Sequence, residues 1–284
     1  MKLAVVIPAH CHPDILRMTL GSLLRTFTAH DLDIHVGFHF NYQDYCKNTS
    51  IFQDLKGVAS VHLVDEIDWR QHADNINRYS YMHARHIAFL FKQLRYCDFD
   101  YVLLLDDDVL IYQDFVSGLA LQGCPDLVGT LFDDVSGVRH GTRGDGTRFC
   151  CLPKISPWHL LISRRLYDRI VDEPTVLYPK DIPPEFRRYS ELTVIYQPPS
   201  PARLFFFDTF ADVLHCCLHE WHMQVRTFPS AVFAGWAKHF FFSSFNYGRI
   251  ASPGRELEIR AAYAREFPDG IAKVFSDYRQ TRRF

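Results

Sequence analysis

The sequence lacks the basic excess, the long apolar segment and the cysteine spacing that would each indicate a particular class of protein. Its 31 Lys and Arg are outweighed by 33 Asp and Glu, giving a net charge of −2. That balance argues against a general nucleic-acid binder, which needs a strongly positive surface. No apolar run approaches the ~20 residues of a transmembrane helix. None of the eight cysteines forms a CxxC pair, so we expect free thiols in a reducing compartment.

The two ends of the chain carry weak signals of location. The apolar run Leu3–Ile7 is followed by a proline and is shorter than the apolar region of a signal peptide, so a cytoplasmic protein without a transmembrane segment is expected. The final residues, 278–284, mix arginines with aromatic residues. This composition leaves peripheral contact with a membrane open, although an ordinary charged terminus explains it more simply.

The first third of the sequence alternates apolar strand patterns with helical patterns. Hydrophobic residues make up 48% of the 284 positions, enough for a sizeable core. The predicted elements are strands at Leu3–Ile7, Ile34–Phe40, Val61–Val64 and Tyr101–Leu105, and helices at Asp14–Phe27 and from about His72 to Tyr96. This alternation predicts an α/β fold with a doubly wound, mostly parallel sheet flanked by helices. Ligands bind such sheets at the carboxyl ends of the strands.

The second half is less regular. Residues Asp133–Pro157 are rich in Gly, Arg and Asp and predict a long loop, and Glu173–Pro201 has no clear periodicity. Predicted strands are Leu127–Phe132, Trp158–Ser163, Arg203–Phe207, Ala231–Phe233 and His239–Ser243, and predicted helices are Arg164–Val171, Thr209–His222 and Arg255–Phe267. No linker is visible, so one domain over 1–284 is expected.

Three adjacent aspartates, Asp106, Asp107 and Asp108, directly follow the apolar strand Tyr101–Leu105. Neighbouring carboxylates repel one another unless they share a cation. Hard oxygen ligands favour Mg²⁺ or Mn²⁺, and such an ion can neutralise charge on the diphosphate of a nucleotide. If the backbone stays extended, Asp106 and Asp108 point to the same side. The alternative interpretation is a solvated acidic turn.

These residues carry a resemblance to a known family. The segment LLLDDDVLI resembles the Asp-x-Asp segment of GT-A glycosyltransferases, and AVVIPAH resembles their first strand, especially in the family-2-like group. The resemblance implies a nucleotide-sugar donor (UDP-, GDP- or dTDP-sugar), a carbohydrate or glycolipid acceptor and a divalent metal. It divides the single domain into a donor half at 1–130 and an acceptor half at 131–284 with a C-terminal helix. It places donor contacts at Pro8, Ala9, His10, Asp106 and Asp107, and the metal at Asp106 and Asp108. The usual acidic residue after the second strand is not obvious; 41–44 reads Asn-Tyr-Gln-Asp.

Further candidates lie late in the chain. Asp208 ends the strand Arg203–Phe207 and resembles the catalytic base of inverting GT-A enzymes; the alternatives are that it caps the following helix or that Asp212 is the base. His239 lies where several GT-A enzymes complete the metal shell, although a packed histidine is the simpler interpretation. Arg249, in a Gly-containing loop, is a candidate contact for the diphosphate.

Two rival functions remain open. The segment VLLLDDDVL also matches the haloacid-dehalogenase-type phosphatase pattern, in which the first Asp is a nucleophile. Those enzymes place the motif near the N-terminus, whereas here a hundred residues of alternating elements precede it. The other rival is a non-catalytic protein that only binds a nucleotide-sugar. The sequence therefore favours a metal-dependent glycosyltransferase that moves a sugar to an acceptor hydroxyl, with inversion if Asp208 is the base.

Overall fold

The computed structural model describes residues 1–10, 13–39, 49–64, 78–119, 121, 123–131, 139–198, 202–240 and 253–281. The strands are β1 (Lys2–Ala9), β2 (Asp31–Phe38), β3 (Ser60–Leu63), β4 (Tyr101–Leu105), β5 (Val109–Ile111), β6 (Leu127–Thr130), β7 (Arg139–Thr142), β8 (Arg148–Cys151), β9 (His159–Ser163), β10 (Lys180–Ile182), β11 (Leu204–Phe207), β12 (Val225–Phe228) and β13 (Ala237–His239). The helices are α1 (Pro13–Thr26), α2 (Ile51–Leu55), α3 (Arg78–Gln93), α4 (Phe115–Gly118), α5 (Arg164–Asp172), α6 (Arg187–Tyr196), α7 (Ala211–His219), α8 (Ser230–Ala234), α9 (Pro253–Glu266) and α10 (Ile271–Thr281).

A seven-stranded sheet forms the centre of the molecule, in the order β12-β6-β9-β4-β1-β2-β3. Six strands run in one direction, and β9 is antiparallel to its neighbours β4 and β6. All five residues of β4 are buried, as expected for a central strand covered on both faces. The prediction of an α/β fold with a mostly parallel sheet flanked by helices is therefore confirmed.

Helices cover both faces of this sheet. Alternate residues of β1 divide between two cores because successive side chains of a strand point to opposite faces. Leu3, Val5 and Ile7 pack in the cluster that includes α1 and α10. Ala4 and Val6 pack in the cluster that includes α3, α5 and α7. The sheet is thus a true middle layer, and its carboxyl edge is where β1, β2 and β4 end together.

Helix α10, which the sequence did not predict, packs against α1 through a close approach at Gly21. A Cβ atom at Gly21 would lie 2.2 Å from Cδ1 of Ile271, a distance that real Cβ contacts do not reach. The absence of a side chain at Gly21 therefore lets the two helices meet. Ile271 and Phe275 bury their side chains in the same core as the apolar residues of α1.

A second, four-stranded sheet has the order β10-β11-β8-β7 and corrects two predictions. The predicted loop Asp133–Pro157 contains the antiparallel hairpin β7–β8, whose tip has Gly146 at φ +83°. The aperiodic segment Glu173–Pro201 contains a 3₁₀ turn (Pro174–Leu177), β10 and α6. Residues of β7 are mostly exposed, so the hydrophobic alternation that identifies a strand is absent there.

Other boundaries differ from the predictions. The predicted strand Ala231–Phe233 is wrong, because these residues lie in the short helix α8. The predicted strand His239–Ser243 begins two residues earlier than expected, because β13 starts at Ala237. Residues 241–243 lie outside the described residues. The first part of the helix expected from His72 also falls outside them. In the described part of the chain, no helix has both the length and the apolar character needed to cross a membrane.

Candidate active site

The aspartate triplet lies at the carboxyl end of β4, in the middle of the central sheet. Asp106 follows Leu105 directly, and the chain then turns into β5. Asp107 and Asp108 are fully buried, and Asp106 is only 7% exposed. The alternative of a solvated acidic turn is therefore wrong. Three carboxylates held out of water at a strand end are costly unless positive charge lies against them.

His239 reaches the triplet because β13 pairs with β5, the strand that follows the aspartates. In this antiparallel ribbon His239 is opposite Val109, and the N–H of Phe240 donates to the carbonyl of Asp108 at 3.1 Å. The Nε2 atom of His239 lies 2.8 Å from Oδ1 of Asp108 and 3.4 Å from Oδ2 of Asp106. The ribbon thus positions one imidazole between two carboxylates.

The environment of His239 is buried and strongly acidic. The ring of Trp158 stacks on it with centroids 4.3 Å apart and planes 19° apart. Burial works against a charged imidazole, but the Asp108 carboxylate, with further contributions from Asp106, raises the pKa of His239 to about 9. In the absence of a metal, His239 is therefore protonated at neutral pH and supplies part of the positive charge that the triplet requires.

Asp107 faces away from His239, toward the end of β1. Its Oδ2 accepts the backbone N–H of His10. The hydroxyl of Thr19, on α1, donates to the carbonyl of Asp107 at 2.8 Å and accepts the N–H of Val109 at 3.1 Å. The hydroxyl of Ser22 accepts the N–H of Ile111 at 3.0 Å. These two hydroxyls fix the turn that presents the aspartates.

The sequence analysis missed Thr19 and Ser22. Both are fully buried, and they stand three residues apart on α1, so they lie on the same side of the helix. Two hydroxyl residues on the apolar face of a helix are a usable signal, because buried hydroxyls need hydrogen-bond partners. The signal indicates that a backbone segment docks there, but it does not say which segment.

The residues Asp106, Asp108 and His239 can hold a divalent metal ion. One ligand atom from each lies within 4.8 Å of the other two, and all three residues are buried. The Oδ1 atom of Asp106 is buried without a hydrogen-bond partner, as expected of an oxygen that a cation would occupy. Two carboxylates and an imidazole suit Mg²⁺ or Mn²⁺. The donor set therefore fits the predicted cofactor.

Four histidines meet beside the triplet, and the sequence analysis identified only His10. The ring of His10 lies 4.8 Å from that of His86, 5.7 Å from that of His39 and 5.7 Å from that of His83. His39 follows β2 as His10 follows β1, and the other two project from α3. Burial, followed by the neighbouring histidines, lowers the pKa of His10 well below its usual value. Burial also lowers the pKa of His83 and His86, so these three imidazoles favour the neutral form at neutral pH.

Asp208 lies near the triplet, although its strand belongs to the second sheet rather than the central one. Its Oδ2 accepts from Nζ of Lys154 at 2.6 Å, a partner that the sequence analysis missed. His83 connects the two groups: its Nε2 is 3.7 Å from Oδ1 of Asp106, and the charges of Lys154 and Asp208 also act on it. Burial alone would raise the pKa of Asp208, but Lys154, Ser80 and the Thr209 N–H together lower it.

The helix-cap alternative for Asp208 is wrong. Helix α7 begins at Ala211 with Phe210 at its N-cap, and no side chain caps it. The Asp208 carboxylate instead accepts the N–H of Thr209 at 2.8 Å. Asp212, the alternative base, is 1% exposed and pairs with Lys180 at 2.5 Å and Arg188 at 2.6 Å. Its carboxylate ties α6 and β10 to α7.

The remaining predicted donor contacts divide between described and undescribed parts of the chain. Pro8 and Ala9 end β1 beside Gly37 and Phe38 of β2, at the same sheet edge as the aspartates. Arg249 and the segment 41–44 lie outside the described residues.

Comparisons with known proteins find similarity in structure alone. No family profile matches the chain, and no curated protein matches it in sequence. The galactosyltransferase LgtC, solved with donor and acceptor sugar analogs, aligns over 100% of this chain and 97% of its own, with 14% identity and a TM-score of 0.45. The glycosyltransferase GlyE of Streptococcus pneumoniae TIGR4 aligns over 98% of this chain and 63% of its own, with 13% identity and a TM-score of 0.45. At these scores the similarity is one of general layout.

Proposed function

We propose that this protein is a glycosyltransferase that moves a sugar from a nucleotide-sugar to an acceptor hydroxyl. The observation that carries the proposal is the buried group of Asp106, Asp108 and His239 at the carboxyl end of β4. In a mostly parallel sheet this edge is where ligands bind. The GT-A resemblance of the sequence around the same aspartates supports the same conclusion.

Mn²⁺ or Mg²⁺ is the proposed cofactor, with Asp106, Asp108 and His239 as its protein ligands. A bound divalent cation would neutralise negative charge on the diphosphate leaving group. The protein itself holds the three ligands in position and buried from water, through the β5–β13 ribbon and the hydroxyl of Thr19. Trp158 holds the imidazole of His239 in place by stacking on it.

The donor is proposed to be a UDP-, GDP- or dTDP-sugar that lies across the ends of β1 and β4. Pro8, Ala9, His10 and Asp107 are the proposed contacts at this edge, and Arg249 is the proposed cation for the diphosphate. The hydrogen bond between the His10 N–H and Asp107 supports this arrangement because it joins the two strand ends into one surface. The acceptor is proposed to be a carbohydrate or glycolipid bound by the half of the chain from 131 to 284.

Asp208 is the proposed general base of an inverting reaction. Its lowered pKa means that the carboxylate is ionised at neutral pH and able to accept the proton of an acceptor hydroxyl. Lys154 fixes one carboxylate oxygen and the Thr209 N–H fixes the other. As the Asp208 carboxylate takes the proton, the acceptor oxygen would attack the anomeric carbon from the side opposite the diphosphate.

A panel of nucleotide-sugars with Mn²⁺, Mg²⁺ or EDTA tests the proposal. We expect one donor to raise the melting temperature only when metal is present, and the same donor to release its nucleoside diphosphate when a suitable acceptor is added. The Asp108→Asn variant should lose both responses. A donor that binds without turnover would favour the non-catalytic binder. Hydrolysis of a generic phosphate ester with Mg²⁺, without any donor response, would favour the phosphatase alternative.

A further inference from the structure

A second cluster of metal-ligating side chains lies at the start of β2, away from the carboxyl edge of the sheet. Asp33 and His35 are two residues apart on this strand, so their side chains share a face. In the parallel register they are opposite Ala4 and Val6 of β1, which pack toward α3. Cys97 lies four residues after the end of α3, before β4 begins. The fold therefore brings a carboxylate, an imidazole and a thiol to one place.

The distances in this cluster are close to those of a tetrahedral zinc site. Nε2 of His35 lies 3.2 Å from Oδ2 of Asp33 and 4.0 Å from Sγ of Cys97, and all three ligand atoms lie within 4.8 Å of one another. Ordinary Zn–N, Zn–O and Zn–S bonds in a tetrahedron give ligand separations of about 3.3 Å for N to O and about 3.6 Å for N to S. Small side-chain movements would therefore complete the geometry.

The other nitrogen of His35 already has the partner that a metal-bound histidine needs. Its Nδ1 lies 3.0 Å from Nε2 of His62, on the neighbouring strand β3. The two rings are stacked, with centroids 5.2 Å apart and planes 9° apart. A metal-ligating imidazole usually donates its second N–H to a fixed acceptor, which sets the tautomer and the ring orientation. His62 can fill that position.

We propose that Asp33, His35 and Cys97 form a second metal site, specific for Zn²⁺, with a water molecule as the fourth ligand. On binding, the Cys97 thiol loses its proton to solvent and the thiolate bonds to the ion. The soft sulfur ligand selects Zn²⁺ over Mg²⁺ and Mn²⁺, whereas the Asp106–Asp108–His239 site has oxygen and nitrogen ligands only. The ion would link the start of β2 to the segment after α3, so its role would be structural.

The competing explanation is a hydrogen-bonded polar cluster without a metal. The Cys97 side chain is hydrogen-bonded to Asp33, and the His35 ring is within hydrogen-bonding reach of the same carboxylate. Such a cluster would satisfy its polar groups by itself. The two explanations differ in whether a thiolate–metal bond forms at Cys97.

Cobalt(II) tests this difference because a Co²⁺–thiolate bond gives a near-ultraviolet charge-transfer band that oxygen and nitrogen ligands do not give. When Co²⁺ is titrated into the full chain, we expect the intensity of this band to saturate at one equivalent of Co²⁺. Added Zn²⁺ should displace the Co²⁺ and abolish the band. The Cys97→Ser variant should lose the band. Asp108→Asn and Cys124→Ser, the latter at an exposed thiol, should keep it. No band in the wild type, or a band that survives Cys97→Ser, would overturn the proposal.

Alkylation of the wild-type protein gives a second test that does not depend on the folding of a variant. Iodoacetamide modification is followed by mass spectrometry at Cys97 and at Cys124, with Zn²⁺ or with EDTA. At a Zn²⁺ concentration about ten times the dissociation constant, mass action predicts that Cys97 reacts about tenfold more slowly, while Cys124 is unaffected. Equal rates at Cys97 in Zn²⁺ and EDTA would reject the site and leave the polar cluster as the explanation.

Discussion

Replacing His239 with glutamine tests whether this imidazole carries a proton among the buried aspartates. Glutamine is similar in size and stays neutral, so the variant removes the charge with little change in volume. In metal-free protein the Asp108 carboxylate outweighs the effect of burial and raises the pKa of His239 to about 9. A protonated His239 therefore stabilises the folded state, whereas a glutamine leaves the aspartates without this charge.

The expected magnitude follows from the two pKa values. An unfolded histidine titrates near 6.5, and each pH unit between that value and about 9 contributes about 1.4 kcal/mol, or about 3 kcal/mol in total. Because the pKa is raised on folding, this contribution is fully present below about pH 6.5. It declines as the pH rises toward 9 and is lost above that. About 3 kcal/mol is a large share of a typical unfolding free energy of 5–15 kcal/mol.

Urea unfolding in EDTA at about pH 6 and about pH 9.5 measures the effect. The gap in unfolding free energy between wild type and His239→Gln should be about 3 kcal/mol larger at the lower pH. His215→Gln is the matched control. Burial, with Arg188 and His219, lowers the pKa of His215 to about 4, below that of an unfolded histidine, so its gap should be smaller at the lower pH than at the higher, by about 1 kcal/mol. A gap for His239→Gln that is equal at the two pH values, or smaller at the lower pH, would refute the reasoning.

Three further predictions concern catalysis and the support of the site. Asp108→Asn should abolish Mn²⁺-dependent sugar transfer while the protein stays folded. The control Asp168→Asn, at a surface ion pair with Arg164, should keep full activity. Normal transfer by the wild type in EDTA would contradict the metal dependence. Asp208→Asn should lower the rate of transfer by ~10²–10⁴ without changing donor affinity in calorimetry, and a rate within a few-fold of wild type would remove Asp208 as the base. Thr19→Val leaves the Val109 N–H without its acceptor and should cost about 1–3 kcal/mol in urea unfolding; an unchanged midpoint would show that the turn does not depend on Thr19.

The sequence was least informative where the structure depends on exposed strands and on partners distant in the chain. The hairpin β7–β8 has too few buried residues to show alternation, so its segment was predicted to be a loop. The role of Asp208 depends on Lys154 and on the start of α7, neither of which periodicity reveals. The strand before Asp208 was recognised, but its membership of the second sheet depends on pairing with β8, which is a non-local contact.

The sequence by itself determined most of the central sheet, although not its edge strand β12, and the position of the aspartates at the end of β4. A fully apolar run as short as Tyr101–Leu105, within alternating strand and helix patterns, favours a buried strand, and charged residues directly after it then lie at a strand end. Only the tertiary structure decided which groups surround Asp106 and Asp108. His239 meets them because β13 pairs with β5, and Thr19 because α1 packs there. These contacts join residues far apart in the chain, and local patterns of hydrophobicity do not encode them.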